Sequence, residues 1–147
     1  MKYVVDFEAW ALEKYRQFRK VQESDSNFVA VPSPATRTVT IINLKNGKTS
    51  FSKCHNCDKF NVYVGYGVAW AKYIGEEIPK QATPVKISEL TPGQKFVFDE
   101  FIFATEAKEK AEFYYIGHNP VNNASIAVRV DSGECYQFSM NRHVMKI

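Results

Sequence analysis

Apolar positions over residues 1–22 recur at three- and four-residue intervals: Tyr3, Phe7, Trp10, Ala11 and Phe18 share one stripe. That period predicts an amphipathic helix, with Glu13, Arg16 and Lys20 on its far side and Lys14 and Arg19 flanking it. The stripe fades into Glu23-Ser24-Asp25-Ser26-Asn27, and Pro32-Ser33-Pro34 forbids regular helix, so residues 23–36 read as a loop. From Arg37 to Leu44 the pattern changes to alternation: Thr38, Val39, Thr40, Ile41 and Ile42 predict a strand. Lys45-Asn46-Gly47-Lys48 then predicts a type I′ turn, returning the chain through a second strand over about Thr49 to Lys53.

Residues 61–74 predict a second helix that stops at Gly75. Gly65 and Ala69 lie four apart and form a flat face that a strand or another helix can approach closely. After Thr83 the pattern breaks into short strand candidates between turn signals. They cover Val85 to Ile87, Lys95 to Phe98, Phe101 to Thr105, Glu112 to Ile116, Ser125 to Val130, Glu134 to Ser139 and His143 to Ile147. In Thr91-Pro92-Gly93 the proline and glycine occupy the two central positions of a type II turn. Short strands with tight connections predict a small antiparallel barrel. The expected fold is therefore α+β, with a helix–hairpin–helix module at 1–80 followed by a small β-barrel module at 84–147.

Composition narrows the class. With 147 residues, 45% apolar and a net charge of +3, the chain fits one domain or two very small ones. Its apolar content is too high for a disordered tail, and it has no uninterrupted apolar run of the ~20 residues that span a bilayer. Met1 to Glu8 has no long apolar core and includes Asp6 and Glu8, so no secretory leader is read and the cytosol is expected. Residues 1–80 hold 12 basic and 8 acidic side chains, while residues 81–147 hold 7 and 8. The positive excess therefore belongs to the first module.

Candidate chemistry is sparse. Cys54-His55-Asn56-Cys57 has the spacing of half a zinc site, but the other half would come from Cys135, His118 and His143, which stand alone on separate segments. One cysteine packed inward and the other facing water is the preferred reading. No nucleophile turn or acid–base pair is present, and Gly65-Tyr66-Gly67 lacks the third glycine of a phosphate loop. A non-catalytic chain without metal or cofactor is expected. Binding is the better prospect, because 8 Tyr, 11 Phe and 2 Trp exceed what two small cores hide. Along Phe113-Tyr114-Tyr115 an extended backbone must turn at least one ring outward. The expected contact residues are Lys14, Arg16, Arg19, Lys20, Lys45, Lys48, Tyr114 and Tyr115.

The run Thr38 to Lys48, then Ser52-Lys53-Cys54, Asp58-Lys59-Phe60 and Gly65 with Ala69-Trp70-Ala71, resembles a pattern in small proteins of phages and prophages of low-GC Gram-positive bacteria. The likeness covers about residues 37–79. It implies a mobile-element accessory protein that occupies a host protein or protein–RNA complex, and an anti-CRISPR protein against a type II RNA-guided nuclease is its most concrete form. The basic balance argues against DNA mimicry and for steric occlusion, or for contact with the nucleic-acid component of such a complex through Lys14, Arg16, Arg19, Lys20, Lys45 and Lys48. Direct nucleic-acid binding through the basic helix, the hairpin and barrel aromatics is the alternative.

Overall fold

The structure is a computed structural model that describes residues 1–54, 59–100 and 102–147. It is an α+β chain divided into two compact units: Phe7–Ile78, and Met1–Asp6 together with Pro79–Ile147.

In the Phe7–Ile78 unit, helix α1 (Phe7–Ser24) is followed by strands β2 (Phe28–Ser33), β3 (Thr38–Asn43) and β4 (Thr49–Lys53), then helix α2 (Val62–Tyr73). The strands form an antiparallel sheet in the order β2-β3-β4. The expected loop at 23–36 is thus partly a strand. Its Pro32 is accommodated because β2 is a sheet edge, where a residue without an N–H leaves no central ladder broken. Along β3 burial alternates, with Val39, Ile41 and Asn43 facing inward. These residues meet Phe18 of α1 and Ala69, Trp70 and Tyr73 of α2.

The β3–β4 turn differs from type I′. Asn43 N donates to Lys48 O (2.9 Å), Gly47 N donates to Asn43 O (2.8 Å), and within Asn46-Gly47 only the glycine has a positive φ, at 73°. A type I′ turn needs positive φ at both central residues, whereas a longer loop needs a single left-handed residue to reverse the chain.

Helix α2 is apolar nearly all round because it is covered on two sides. Asn61 caps its N-terminus, its Oδ1 accepting from Tyr63 N (3.0 Å) and Val64 N (3.4 Å). One side lies on the sheet, where Ser50 and Ser52 donate to the carbonyls of Ala69 (2.5 Å) and Gly65 (2.8 Å). The partner of the small-residue face is therefore β4 together with β3. The other side meets α1 at Gly67.

In the second unit, β1 (Lys2–Val4) pairs in parallel with β5 (Lys80–Gln81) and antiparallel with β8 (Lys108–Glu109). Residues 2–4 are thus a strand, and the helix expected from residue 1 begins at Phe7. Tyr3 and Val4 are adjacent and both fully buried, as in a strand covered on both faces.

The larger sheet comprises β6 (Thr83–Lys86), β7 (Lys95–Phe98), β9 (Phe113–Asn119), β10 (Ala124–Arg129), β11 (Cys135–Ser139) and β12 (His143–Lys146). Its order is β11-β10-β9-β7-β12-β6, antiparallel throughout. The sheets do not close into a barrel: β11 and β6 are edges. One face carries Phe96, Phe113, Tyr115, Ala127 and Val144, and the other packs Val97 and Met145 against Tyr3, Ala82 and Ile102. A second sheet, rather than ring closure, shields this reverse face. The type II turn is present, with Gln94 N donating to Thr91 O (3.1 Å) and Gly93 at φ 91°. Between β7 and β8 only an isolated bridge, Phe103 with Glu106, stands among the described residues, and Phe101 lies outside them. No helix among the described residues is long and apolar enough to cross a membrane.

Candidate functional site

On α1, Tyr15, Phe18, Arg19 and Gln22 follow one another at helical spacing and face the first turns of α2, where Tyr63 and Tyr66 lie three apart. With Ala30 of β2 they line a cleft of about 290 Å³. Tyr15 and Tyr66 stack, with centroids 5.4 Å apart and planes at 18°. Tyr63 is tilted by 56° to Tyr15 and 58° to Tyr66, and 51% of its surface is open.

The polar atoms of this cleft are mostly without partners. Among the described residues no hydrogen bond reaches the phenols of Tyr15, Tyr63 or Tyr66, or the guanidinium of Arg19. Gln22 Nε2 donates to Phe28 O at 3.3 Å. Among the described residues Arg19 is the one charged residue in the lining. Burial, then the neighbouring phenols of Tyr15 and Tyr63, raise the Tyr66 pKa above the ordinary tyrosine value of about 10, with Arg19 pulling the other way. Among the described residues the cleft thus presents phenol donors and one cation. It suits an anionic, planar or hydrogen-bond-accepting group.

The expected contact residues divide sharply. Arg19 lines the cleft, and Lys20 and Lys45 are exposed. Arg16 is exposed and pairs with Glu13 at 3.0 Å, three residues away on its own helix. Lys14 is engaged inside the unit. Its Nζ lies 2.5 Å from Glu76 and 5.7 Å from the Trp10 ring centroid, with only 12% of its side chain exposed. Lys48 serves α2: its Nζ donates to Tyr73 O (2.9 Å) and lies 4.4 Å from the Tyr73 ring centroid.

In the other unit Tyr114 and Tyr115 take opposite faces of β9. Tyr114 is 37% exposed with Lys95 Nζ 5.2 Å from its ring centroid, whereas Tyr115 is 6% exposed within the core. Tyr115 is therefore a packing residue, because alternation that sends Tyr114 outward must send its neighbour in.

Tyr15, Tyr63 and Tyr66 are not among the contact residues that the sequence predicts. The signal was the spacing of Tyr15 with Arg19 and of Tyr63 with Tyr66, but which helix faces meet is a tertiary fact.

Cys54 accepts from Arg37 Nη2 at 3.3 Å, and its thiol points to Lys59 O at 3.8 Å. His55 and Cys57, and with them the remainder of the C-x-x-C motif, lie outside the described residues. Among the described residues no three His, Cys, Asp or Glu side chains gather as metal ligands would.

The fold and this cleft define a two-unit α+β protein with a tyrosine-lined, positively charged recess. Comparison of the chain with protein-family models, curated proteins and solved structures found no match.

Proposed function

We propose that the chain is a non-catalytic binding protein of a phage or mobile element, acting in the host cytoplasm on a nucleic-acid-handling complex. Its most concrete form is an anti-CRISPR protein that blocks a type II RNA-guided nuclease. The observation that carries the binding role is the cleft, where three phenols and a guanidinium border an open recess and have no hydrogen-bond partner among the described residues. Polar groups left in this way in a concave site are what a ligand or partner surface recruits. The phage setting rests on the resemblance of residues 37–79, and contact with a nucleic-acid component agrees with the positive excess of the first 80 residues.

Affinity capture from a Gram-positive host, followed by mass spectrometry and a cleavage assay with the captured nuclease, tests this role. Co-purification with a nuclease complex and loss of cleavage are expected. Capture of nothing involved in nucleic-acid handling overturns it.

A second reading, direct nucleic-acid binding, is favoured by the same tyrosines and Arg19. A salt titration separates the two. Nucleic-acid binding by the purified chain, without a partner protein, weakens as salt rises, while a chain whose only target is a host protein shows no such affinity.

A further inference from the structure

The open ring of Tyr63 and the guanidinium of Arg19 border the same recess, and their chemistry defines an occupant. We propose that the Tyr15–Tyr63–Tyr66 cleft is a pocket for one unpaired nucleotide of a single-stranded nucleic acid, its base on Tyr63 and its phosphate on Arg19. This deepens the binding role above and rests on it only for the claim that the natural partner contains nucleic acid.

Charge comes first. Among the described residues no acidic side chain lines the cleft and Arg19 is its one ionised group, so an anion is favoured and a cation repelled. The phenol hydroxyls are hydrogen-bond donors and complement phosphate or carbonyl oxygens.

Ring geometry comes second. Tyr15 and Tyr66 cover one another, so their shared faces are closed to a ligand. Tyr63 is tilted away from both and half open, which leaves one aromatic surface and hence room for one stacked base. Gln22 commits its Nε2 to Phe28 O, which leaves its Oε1 to accept from an exocyclic base amine.

Size agrees. At about 290 Å³ the recess lies at the low end of ligand clefts, ~300–1,000 Å³, suiting one nucleotide.

Two further features favour a strand over a free nucleotide. Arg16 and Lys20 follow Tyr15 and Arg19 on α1 by one residue each, both exposed. Their side chains leave the helix about 100° round from those of Tyr15 and Arg19, outside the cleft lining, and can meet the phosphates of a strand that continues past it. The Arg16–Glu13 pair does not oppose this, since exposed pairs of its kind are worth little. A base held within a duplex cannot present its face to Tyr63, so single strands are preferred to duplexes.

Fluorescence anisotropy of the full chain with labelled oligothymidylate and oligouridylate of about ten nucleotides, and with a hairpin duplex, tests the pocket. Single strands are expected to bind, with a shallow salt slope that reports about two to three phosphates. Arg19→Ala and Tyr63→Ala should each weaken binding about tenfold, and Tyr63→Phe should stay within about twofold because the ring remains. Lys86→Ala removes an exposed positive charge from the other unit and should change nothing. Tyr63 and Arg19 are surface residues, and matching thermal melts verify that the variants fold.

No binding to either oligonucleotide overturns the pocket. So does equal affinity for the duplex, or a loss in Lys86→Ala as large as that in Arg19→Ala. If Tyr63→Ala still captures and blocks a host nuclease as the parent does, the pocket fails and the binding role stands. If single strands bind as expected but no host complex is captured, the pocket stands and that role fails.

Discussion

Gly67 of α2 lies directly against the main-chain carbonyl of Ala11 on α1, so close that a Cβ at Gly67 would stand 1.9 Å from that oxygen. The helices cross at this point with no space for a side chain. The obstruction is backbone, which cannot swing aside as a side-chain tip can.

Gly67→Ala should therefore cost at least about 2–3 kcal/mol, despite the ~1 kcal/mol gain in helix propensity. Gly65→Ala meets the Val39 side chain instead, with Cγ2 at 2.6 Å, and should cost less. Denaturant unfolding of both variants measures the difference. A Gly67→Ala protein as stable as the parent would contradict the crossing.

Lys48 and Lys45 are both exposed on the same turn, but Lys48 Nζ caps the Tyr73 carbonyl at the end of α2. Lys48→Met should lower stability by about 1 kcal/mol, having lost a charged hydrogen bond and a cation–π contact at a helix C-terminus. Lys45→Ala should stay within about 0.5 kcal/mol. Thermal melts of the two variants under one buffer test whether the turn's lysines divide in this way.

The raised pKa of Tyr66 gives stability an alkaline dependence of definite sign. The folded chain holds the phenolic proton more tightly than the unfolded chain does, so its contribution is complete below the unfolded value of about 10. That contribution is lost as pH rises through the folded value. Tyr66→Phe should flatten this part of the stability–pH curve, and denaturant titrations from neutral to alkaline pH would record it. An unchanged slope would mean that Tyr66 ionises as an ordinary tyrosine.

Ser125 is 1% exposed in the larger sheet, and its Oγ has no hydrogen-bond partner among the described residues. Removing an unsatisfied buried hydroxyl relieves a desolvation cost and leaves only a small void. Ser125→Ala should be neutral or stabilising by up to about 1 kcal/mol, read from the unfolding midpoint. A loss above about 1 kcal/mol would show that the hydroxyl is satisfied.

Much of the fold was legible because local periods matched the tertiary role. The alternation of Val39 and Ile41 with threonines marked a half-buried strand, and Asn61 with Gly75 bracketed α2. Errors arose where two structures share a pattern. Tyr3 and Phe7 fit a helical stripe, but Tyr3 belongs to a strand buried on both faces, and nothing local distinguishes the two. An open sheet screened by a second sheet also shows the same short alternating strands as a closed barrel. The site was half visible: Arg19 was singled out for its charge, but Tyr15, Tyr63 and Tyr66 form a cluster only once α1 and α2 pack. Lys14 and Lys48 looked like surface charge because sequence does not reveal that Glu76 and Tyr73 O await them.

The pairing of Tyr3 with Lys80 and Val4 with Gln81 makes the Phe7–Ile78 unit a detour between two hydrogen-bonded strands. Those strands can meet only when a long intervening segment brings its ends together, a closure that costs chain entropy. A detour that folds first removes most of that cost, and the Lys14–Glu76 ion pair fastens its beginning to its end.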